Sequence, residues 1–434
     1  MGFLPCPLPC HSHCHPSIIL PPPNCSDDSS SASSSLSSQS SLPSDVPPLT
    51  SQPPSSGVAA CHLHVATLEG HSSYVSHLAL AGESILSASS DGEIRSWSRR
   101  RSDGNRHESS SDGCYYDGDV VAVTDSAVKS VAVLGDKLIT AHQDHKIRVW
   151  KMDGGGSGNP SPTNRIYRSV ATLPTLSDRL TRVFSAKNYV EVRRHKKSTW
   201  IHHVDAVSAL AVSPDHAFIY SVSWDRTLKV WRTSDFKCLE SINKAHDDAI
   251  NAVAVSRPTS QDNLTIYTGS ADTKIKVWVR KSADQAHSHV ATLEKHRSAV
   301  NALALSEDGR VLYSGACDRS ILVWERGGDD SGGGPFMAVV GALRGHTKAI
   351  LCLAAVADLV ISGSADKTIR VWLRERQGRS YSCLAMMEGH QRPVKCLTAA
   401  AIFDEDGTPS GSYMVYSGAL DCCVKVWQVW IHPT

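Results

Sequence analysis

The stretch from Gly345 to Trp372, GHTKAILCLAAVADLVISGSADKTIRVW, decides the fold, because its pattern returns along most of the chain. Its runs AILCLAAV, LVISGS and TIRVW are rich in apolar and β-branched residues and are separated by turn residues, a pattern typical of strands. His346 precedes the first run, and Asp366 lies in the turn before the last. One such unit cannot bury its apolar face alone, so we expect neighbouring units to stack.

The unit occurs seven times, each time with an Asp six positions before a Trp. The pairs are Asp91 and Trp97, Asp144 and Trp150, Asp225 and Trp231, Asp272 and Trp278, Asp318 and Trp324, Asp366 and Trp372, and Asp421 and Trp427. Six copies also carry an upstream His: His71, His203, His246, His296, His346 and His390. Thr124 takes that place in the second copy. With loops added, the spacing fits the roughly 40 to 45 residues of a four-stranded propeller blade.

This repeat resembles that of the WD40 family from about Cys61 to the C-terminus. The resemblance implies an all-β, seven-bladed β-propeller over residues 61–434. Because only QVWIHPT follows Trp427, the N-terminal strand in HVATLEGH (64–71) is expected to complete the last blade, which would leave no free sheet edge at the closure. Residues 1–60 are rich in Pro and Ser, and we expect a disordered tail there, since such a stretch buries too little apolar surface to offset its ordering entropy.

The recurring polar residues have a structural interpretation. The Asp carboxylate can hold backbone N–H groups in its turn. The Ser two positions before the Asp is expected to bond both the His ring and the Trp indole; these serines are Ser89, Ser223, Ser270 and Ser364. A Ser/His/Asp set also suggests a hydrolase. An active site is needed once and a structural clasp once per blade, so we predict no catalytic residues and no enzyme.

The composition is that of an ordinary soluble protein, with 434 residues and a net charge of +1. The sequence has no run of 18 apolar residues, so no transmembrane helix is predicted. The first residues lack the features of a signal peptide. The 13 Cys are scattered along the chain, which fits reduced thiols better than a set of disulfides. We therefore expect an intracellular protein, without a membrane partner. The Cys and His of the tail match no paired zinc signature, so no metal or cofactor is predicted.

Register assigns candidate partner-binding residues to the face that carries the His and Asp turns, called the top face below. Trp224, an aromatic among small and basic residues, has the character of an interaction hot spot, although packing between blades is the other interpretation. The predicted site also contains Tyr74, Lys129, Arg226, Leu351 and Lys395. Its basic character favours an acidic or phosphorylated segment of a partner protein. The net charge is too small to predict nonspecific nucleic-acid binding.

An insertion over 174–202 is expected on the same face, because it lies between an outer strand and His203. Four basic residues are concentrated in its stretch YVEVRRHKK (189–197): Arg193, Arg194, Lys196 and Lys197. A long loop within a compact domain is usually functional or disordered. A partner site, a solvated loop, and a nuclear import signal or nucleic-acid contact all remain open.

A closer resemblance lies in KNYVEVRRHKK (187–197), HVDAVSALAVS (203–213), SWDRTLKVW (223–231) and AHDDAINAV (245–253). These segments resemble the plant WD-repeat proteins named for JINGUBANG. The resemblance implies a non-enzymatic interaction protein of cytoplasm and nucleus, from a family associated with restraint of pollen germination and tube growth. We expect its partner to be a transcription regulator or a signalling protein. The alternative is a substrate receptor of a cullin-type ubiquitin ligase. That class usually shows Trp, acid, any residue, Arg, whereas here Trp324 and Glu325 are followed at once by Arg326.

Overall fold

The structure of the chain is a computed structural model, and seven four-stranded antiparallel sheets dominate it. The described residues, apart from the short segment 46–49, begin at Val58. The structure describes residues 46–49, 58–100, 115–152, 167–183, 189–193, 196–256, 264–280, 286–327, 337–375, 380–404 and 407–433.

Each sheet is one blade, and its strands follow one another in the sequence. The first three blades are formed by β2 (Val75–Ala81), β3 (Ser84–Ser89), β4 (Glu93–Arg100) and β5 (Tyr115–Val123); β6 (Val128–Leu134), β7 (Lys137–His142), β8 (Ile147–Met152) and β9 (Tyr167–Leu173); and β12 (Val207–Val212), β13 (Phe218–Ser223), β14 (Leu228–Arg232) and β15 (Cys238–Ile242).

The next three blades repeat this order. They are formed by β16 (Ile250–Val255), β17 (Leu264–Ser270), β18 (Ile275–Arg280) and β19 (Ser288–Leu293); β20 (Val300–Leu305), β21 (Val311–Ala316), β22 (Ile321–Arg326) and β23 (Met337–Leu343); and β24 (Ile350–Val356), β25 (Leu359–Ser364), β26 (Ile369–Arg374) and β27 (Tyr381–Met387).

The seventh blade joins the two ends of the propeller. Its strands are β28 (Val394–Phe403), β29 (Pro409–Ala419), β30 (Val424–Pro433) and, as the outer strand, β1 (Val58–Leu68). β1 pairs antiparallel with β30, from Val58 opposite Pro433 to Leu68 opposite Val424. The inner strands contact one another in sequence, and β28 contacts β2. The seven-bladed ring and its closure by the N-terminal strand are therefore confirmed.

The apolar core lies between adjacent blades, because each blade buries one face against the next. One cluster joins Val311, Val323 and Leu343 of the fifth blade to Ile350 and Trp372 of the sixth. The Trp of all seven repeat units are buried, with at most 7% of their surface exposed. No helix among the described residues is long and apolar enough to cross a membrane.

The insertion forms a short helix, α1 (Leu176–Val183), and a hairpin of β10 (Tyr189–Arg193) and β11 (Lys196–Thr199). Thr175 Oγ1 accepts a hydrogen bond from the Asp178 N–H, which caps the helix. The buried Asp178 carboxylate accepts a hydrogen bond of 3.0 Å from the Cys238 N–H, at the start of β15. α1 thus connects the outer strands of the second and third blades at the side of the ring, and the expected top-face position is wrong for this helix.

The expected N-terminal boundary at residue 60 also differs from the structure. β1 begins at Val58, and the segment 46–49 pairs with β23, so both lie inside the range assigned to a disordered tail. A segment with two prolines gives no strand pattern, which is why the sequence did not reveal it. Residues 1–45 and 50–57 lie outside the described residues.

Candidate functional site

A chain of hydrogen bonds joins the recurring Trp, hydroxyl, His and Asp in five blades, the third to the seventh. In the sixth blade, Trp372 Nε1 donates to Ser362 Oγ at 2.9 Å, and Ser362 Oγ lies 2.8 Å from His346 Nε2. His346 Nδ1 lies 2.9 Å from Asp366 Oδ2. Because the indole can only donate, the hydroxyl proton is left for His346 Nε2, and His346 Nδ1–H donates to the carboxylate. The chain therefore connects β25 and β26 to the turn before β24, which carries His346.

The bridging hydroxyl is not the residue expected from the sequence. It lies ten positions before the Trp, and all seven copies have it: Ser87, Thr140, Ser221, Thr268, Ser314, Ser362 and Ser417. The assignment of this role to Ser89, Ser223, Ser270 and Ser364 is wrong. These four serines instead accept a hydrogen bond from the backbone N–H of the Asp and donate to a carbonyl across the turn. Ser or Thr occupies the position ten before the Trp in every repeat unit, and this was the sequence signal that could have identified the bridge.

The second blade completes its chain with a different histidine. His142, on β7, bonds Thr140 Oγ1 through Nε2 at 2.7 Å and the Ser126 carbonyl through Nδ1 at 3.2 Å. Trp150 Nε1 donates to the same Thr140 hydroxyl. His142 thus replaces the His that is missing at Thr124. The bonds among Trp, hydroxyl and His are kept in this blade, and a backbone carbonyl takes the place of the Asp carboxylate.

Burial keeps the histidines of the first two blades uncharged. Burial lowers the pKa of His71 and of His142 to about 4, so both rings are uncharged at neutral pH. Burial alone would raise the pKa of Asp366, but hydrogen bonds from His346 and Thr368 hold it well below its ordinary value. A carboxylate with a fixed donor is suited to structural bonding, and the His–Asp bond recurs in five of the seven blades.

The corrected bridge leads to a test in the third blade. Ser221→Ala leaves His203 Nε2 and Trp231 Nε1 buried without their partner, which costs about 1 to 3 kcal/mol for each such group. Ser223→Ala removes only bonds to the backbone, worth about 1 kcal/mol. Urea denaturation should therefore show the larger loss of stability for Ser221→Ala. An equal or larger loss for Ser223→Ala contradicts the assignment.

The top face is built by a second recurring hydrogen bond. The residue before each Asp donates its backbone N–H to the carbonyl of the residue three positions after the His, as Trp224 does to Ala206 at 3.1 Å. Ser90 does the same to Tyr74. Because this bond recurs in all seven blades, the residue before each Asp lies next to the residue three positions after each His, or after Thr124 in the second blade, on one face.

Three of the predicted partner-binding residues meet there, one from each of the first three blades. Lys129 Nζ lies 3.3 Å from the Tyr74 hydroxyl and 6.0 Å from the centroid of its ring. The same ammonium lies 5.6 Å from the ring centroid of Trp224. Trp224 keeps 40% of its surface exposed, unlike the buried Trp of the clasps. Tyr74, Lys129 and Trp224 form the aromatic–lysine cluster, with a cation held between two aromatic rings.

The other predicted residues lie apart from this cluster. Arg226 is exposed, with φ of 67°, and Leu351 is half-buried on β24. Lys395, on β28, lies near His77 of β2, and its charge adds to burial in lowering the pKa of that histidine to about 4. Among the described residues, no hydrogen bond, ion pair or ring contact joins these three side chains to the cluster.

The basic residues of the insertion are placed only in part. Arg193 ends β10, and Lys196 and Lys197 begin β11, so the hairpin carries them. Arg194 lies outside the described residues. Strand β11 of the hairpin contacts α1, so the hairpin lies next to the helix.

One group of side chains in the first blade has ligand chemistry for a metal. Donor atoms of His71, Asp91 and Glu93 lie within 4.8 Å of one another. However, Glu93 Oε2 already accepts two hydrogen bonds from Arg95, at 3.0 and 3.1 Å. The guanidinium thus supplies the positive charge that this cluster needs.

Comparison with known proteins agrees with this architecture. The family model for the WD domain, G-beta repeat (WD40) matches residues 63–98, 194–232, 236–279, 287–325, 337–372 and 381–428, more than half of the chain. The chain belongs to the WD40 repeat family. The matches omit the second blade of this WD40 protein, the one in which Thr124 stands in place of the His. Members of the family are typically non-enzymatic scaffolds.

Several animal proteins are similar to parts of this chain. The chain is 27% identical over 205 residues to the human kinesin-like protein KIF21A. This match covers 45% of this chain and 11% of KIF21A. It is 26% identical over 229 residues to human striatin-4, and this match covers 49% of this chain and 28% of striatin-4. The small ribosomal subunit protein RACK1 of Drosophila melanogaster is 34% identical over 106 residues, and this match covers 24% of this chain and 30% of RACK1. The matched region thus spans at most about a third of these relatives.

A solved structure supports the fold independently. The WD40 β-propeller domain of Doa1 matches with a TM-score of 0.56 and 18% sequence identity, covering 84% of this chain and 96% of that chain. At this identity the likeness shows the fold alone.

Proposed function

We propose that this WD40 protein is a non-enzymatic interaction scaffold that binds a partner protein through the aromatic–lysine cluster of its top face. The single observation that carries the proposal is the contact of Lys129 with both Tyr74 and the exposed Trp224. Rigid blades hold all three side chains, so little ordering entropy is lost on binding. Exposed aromatic residues in such a setting are typical hot spots of protein interfaces.

The chemistry of the cluster favours an acidic or phosphorylated segment of the partner. The Lys129 ammonium has three N–H donors, and the contact with Tyr74 uses one of them. A carboxylate or phosphate can accept from the others while apolar groups of the partner pack on Trp224. Arg226, Lys395, and the hairpin with Arg193, Lys196 and Lys197 add positive charge around the propeller and would steer an acidic partner.

The finer identity rests on the resemblance of segments such as KNYVEVRRHKK to the plant JINGUBANG-like proteins. On that basis the partner is a transcription regulator or a signalling protein, and the process is the restraint of pollen germination and tube growth. Residence in cytoplasm and nucleus belongs to the same proposal. The relatives named above are animal proteins, so this part depends on the sequence resemblance.

Trp224→Ala is expected to weaken partner binding by about 2 kcal/mol or more, which is about thirtyfold in the dissociation constant. Quantitative affinity capture from plant cells, with wild type and variant as baits, measures the loss. The fold should be retained, because the side chain is 40% exposed and forms no part of a blade core.

The matched control is Phe403→Ala. Phe403 is 60% exposed at the end of β28, away from the His and Asp turns of its blade. This variant should keep every protein that wild type captures. Loss of the same proteins from both variants, or from neither, would contradict a top-face site at Trp224.

A further inference from the structure

A short proline-containing segment of this chain is seated in a groove at the side of the propeller. Pro48 forms a parallel β-bridge with Ala342 of β23. The Leu49 N–H donates to the Ala342 carbonyl at 2.9 Å, and the Ala342 N–H donates to the Pro47 carbonyl at 3.0 Å. Segment 46–49 therefore adds a strand to the outer edge of the fifth blade, the binding mode by which sheets take extended peptides.

Both ends of the segment are fixed by further contacts. The Val46 carbonyl accepts a hydrogen bond of 3.1 Å from Arg344 Nη2. The Leu49 carbonyl accepts one of 3.3 Å from the Tyr381 N–H, at the start of β27. The segment thus lies in the groove between β23 and β27, and it contacts two blades at once.

The aliphatic side chains at the two ends enter the core. Val46 is only 2% exposed and belongs to the cluster that contains Trp324 and Met337. Leu49 packs against the cluster of Leu343 and Tyr381. The two prolines between them carry no N–H, and none of the four hydrogen bonds requires one. The groove is therefore suited to an aliphatic-Pro-Pro-aliphatic sequence.

Gly341 shows that the groove is shaped for this occupant. A Cβ built on Gly341 would lie 2.3 Å from Leu49 Cγ, which is too close for any real contact. Gly341 is not among the residues with positive φ, so its backbone does not require glycine. Four other blades have alanine at the same register, opposite the Val before the clasp Trp: Ala66, Ala171, Ala291 and Ala385. The missing Cβ makes room for Leu49.

We propose that the groove between β23 and β27 is a second peptide-binding site, specific for extended aliphatic-Pro-Pro-aliphatic segments, and that residues 46–49 are its displaceable occupant in cis. A partner that carries such a segment must compete with the chain's own copy. A tethered segment has an effective concentration of about 1 mM. A free peptide with a dissociation constant of about 0.1 mM would thus bind the occupied protein about tenfold more weakly than the emptied one.

The test uses the full chain and a fluorescein-labelled peptide of residues 42–53. Val46→Asp with Leu49→Asp empties the groove, because both buried side chains become charged. Fluorescence anisotropy should show the peptide binding this variant about tenfold more tightly than wild type. A peptide with Asp at the positions of Val46 and Leu49 should not bind. Failure of the unaltered peptide to bind the double variant overturns the site.

Gly341→Ala provides the matched control. It introduces the residue that four other blades carry at this register, so the propeller should stay folded. Its Cβ displaces Leu49, so the melting temperature should be no lower than that of the double variant. Added to the double variant, it should abolish peptide binding. Retained binding would overturn the assignment of the groove.

A separate measurement tests whether residues 46–49 fill the groove in the wild-type protein. Hydrogen exchange of the Ala342 amide, followed by mass spectrometry, should be at least tenfold faster in the double variant than in wild type. Unchanged exchange, or equal peptide binding by the two proteins, would show that residues 46–49 do not hold the groove and would overturn the competition.

Discussion

Trp372→Ala is expected to lower the free energy of unfolding by about 3 to 5 kcal/mol, the range for removal of a large buried aromatic side chain. Trp372 is completely buried where the fifth and sixth blades pack together. Its loss also leaves the Ser362 hydroxyl and His346 without the indole that orders them. Since the free energy of unfolding of a domain is commonly only about 5 to 15 kcal/mol, this substitution removes a large share of the total stability.

Urea denaturation of wild type and variant measures the effect. Trp372→Phe separates packing from hydrogen bonding, because it keeps most of the ring volume and loses the N–H; its cost should be clearly smaller. Trp224→Ala is the control for removing an exposed Trp and should leave the midpoint near that of wild type. A Trp372→Ala variant within about 1 kcal/mol of wild type would contradict the repeat assignment.

Acid should destabilise the propeller well before its carboxylates titrate. Burial lowers the pKa of His71, His77 and His142 to about 4, against 6.5 in the unfolded chain. Between these values the unfolded state binds protons that the folded state does not, so the free energy of unfolding falls as pH falls. From pH 7 to 5.5 the loss is about 1 kcal/mol for each histidine and about 3 kcal/mol for the three.

Urea denaturation at the two pH values checks this. His77→Leu should remove about a third of the pH dependence, because Nδ1 of His77 has no hydrogen-bond partner among the described residues and the ring lies outside the clasps. A stability that stays constant or rises from pH 7 to 5.5 would show that these rings are charged in the folded protein.

The repeat made the architecture predictable from sequence. Asp366 and Trp372 recur at fixed spacing, so the number of blades and the strand register followed, and the few residues after Trp427 required closure by β1. The same register placed Tyr74 and Trp224 on one face. Their contact through Lys129 depends on how neighbouring blades are rotated, which the spacing alone does not fix.

Other features were not predicted, for physical reasons that differ. The bridge by Ser362 was missed because the serine nearer to Asp366 also offers a hydroxyl, although only the position of Ser362 carries Ser or Thr in all seven copies. The position of α1 depends on one carboxylate, that of Asp178, meeting a backbone N–H of another blade. The seat of Leu49 beside Gly341 joins residues about 300 positions apart, and no local pattern records such a contact.

The most direct measurement of the central claim is site-specific photocrosslinking in plant cells, with p-benzoylphenylalanine placed at position 224 or at position 403. The account predicts that position 224 crosslinks to proteins that Trp224→Ala fails to capture, and that position 403 does not. Crosslinks to those proteins from position 403 alone would contradict it and would move the binding surface to the opposite face of the propeller.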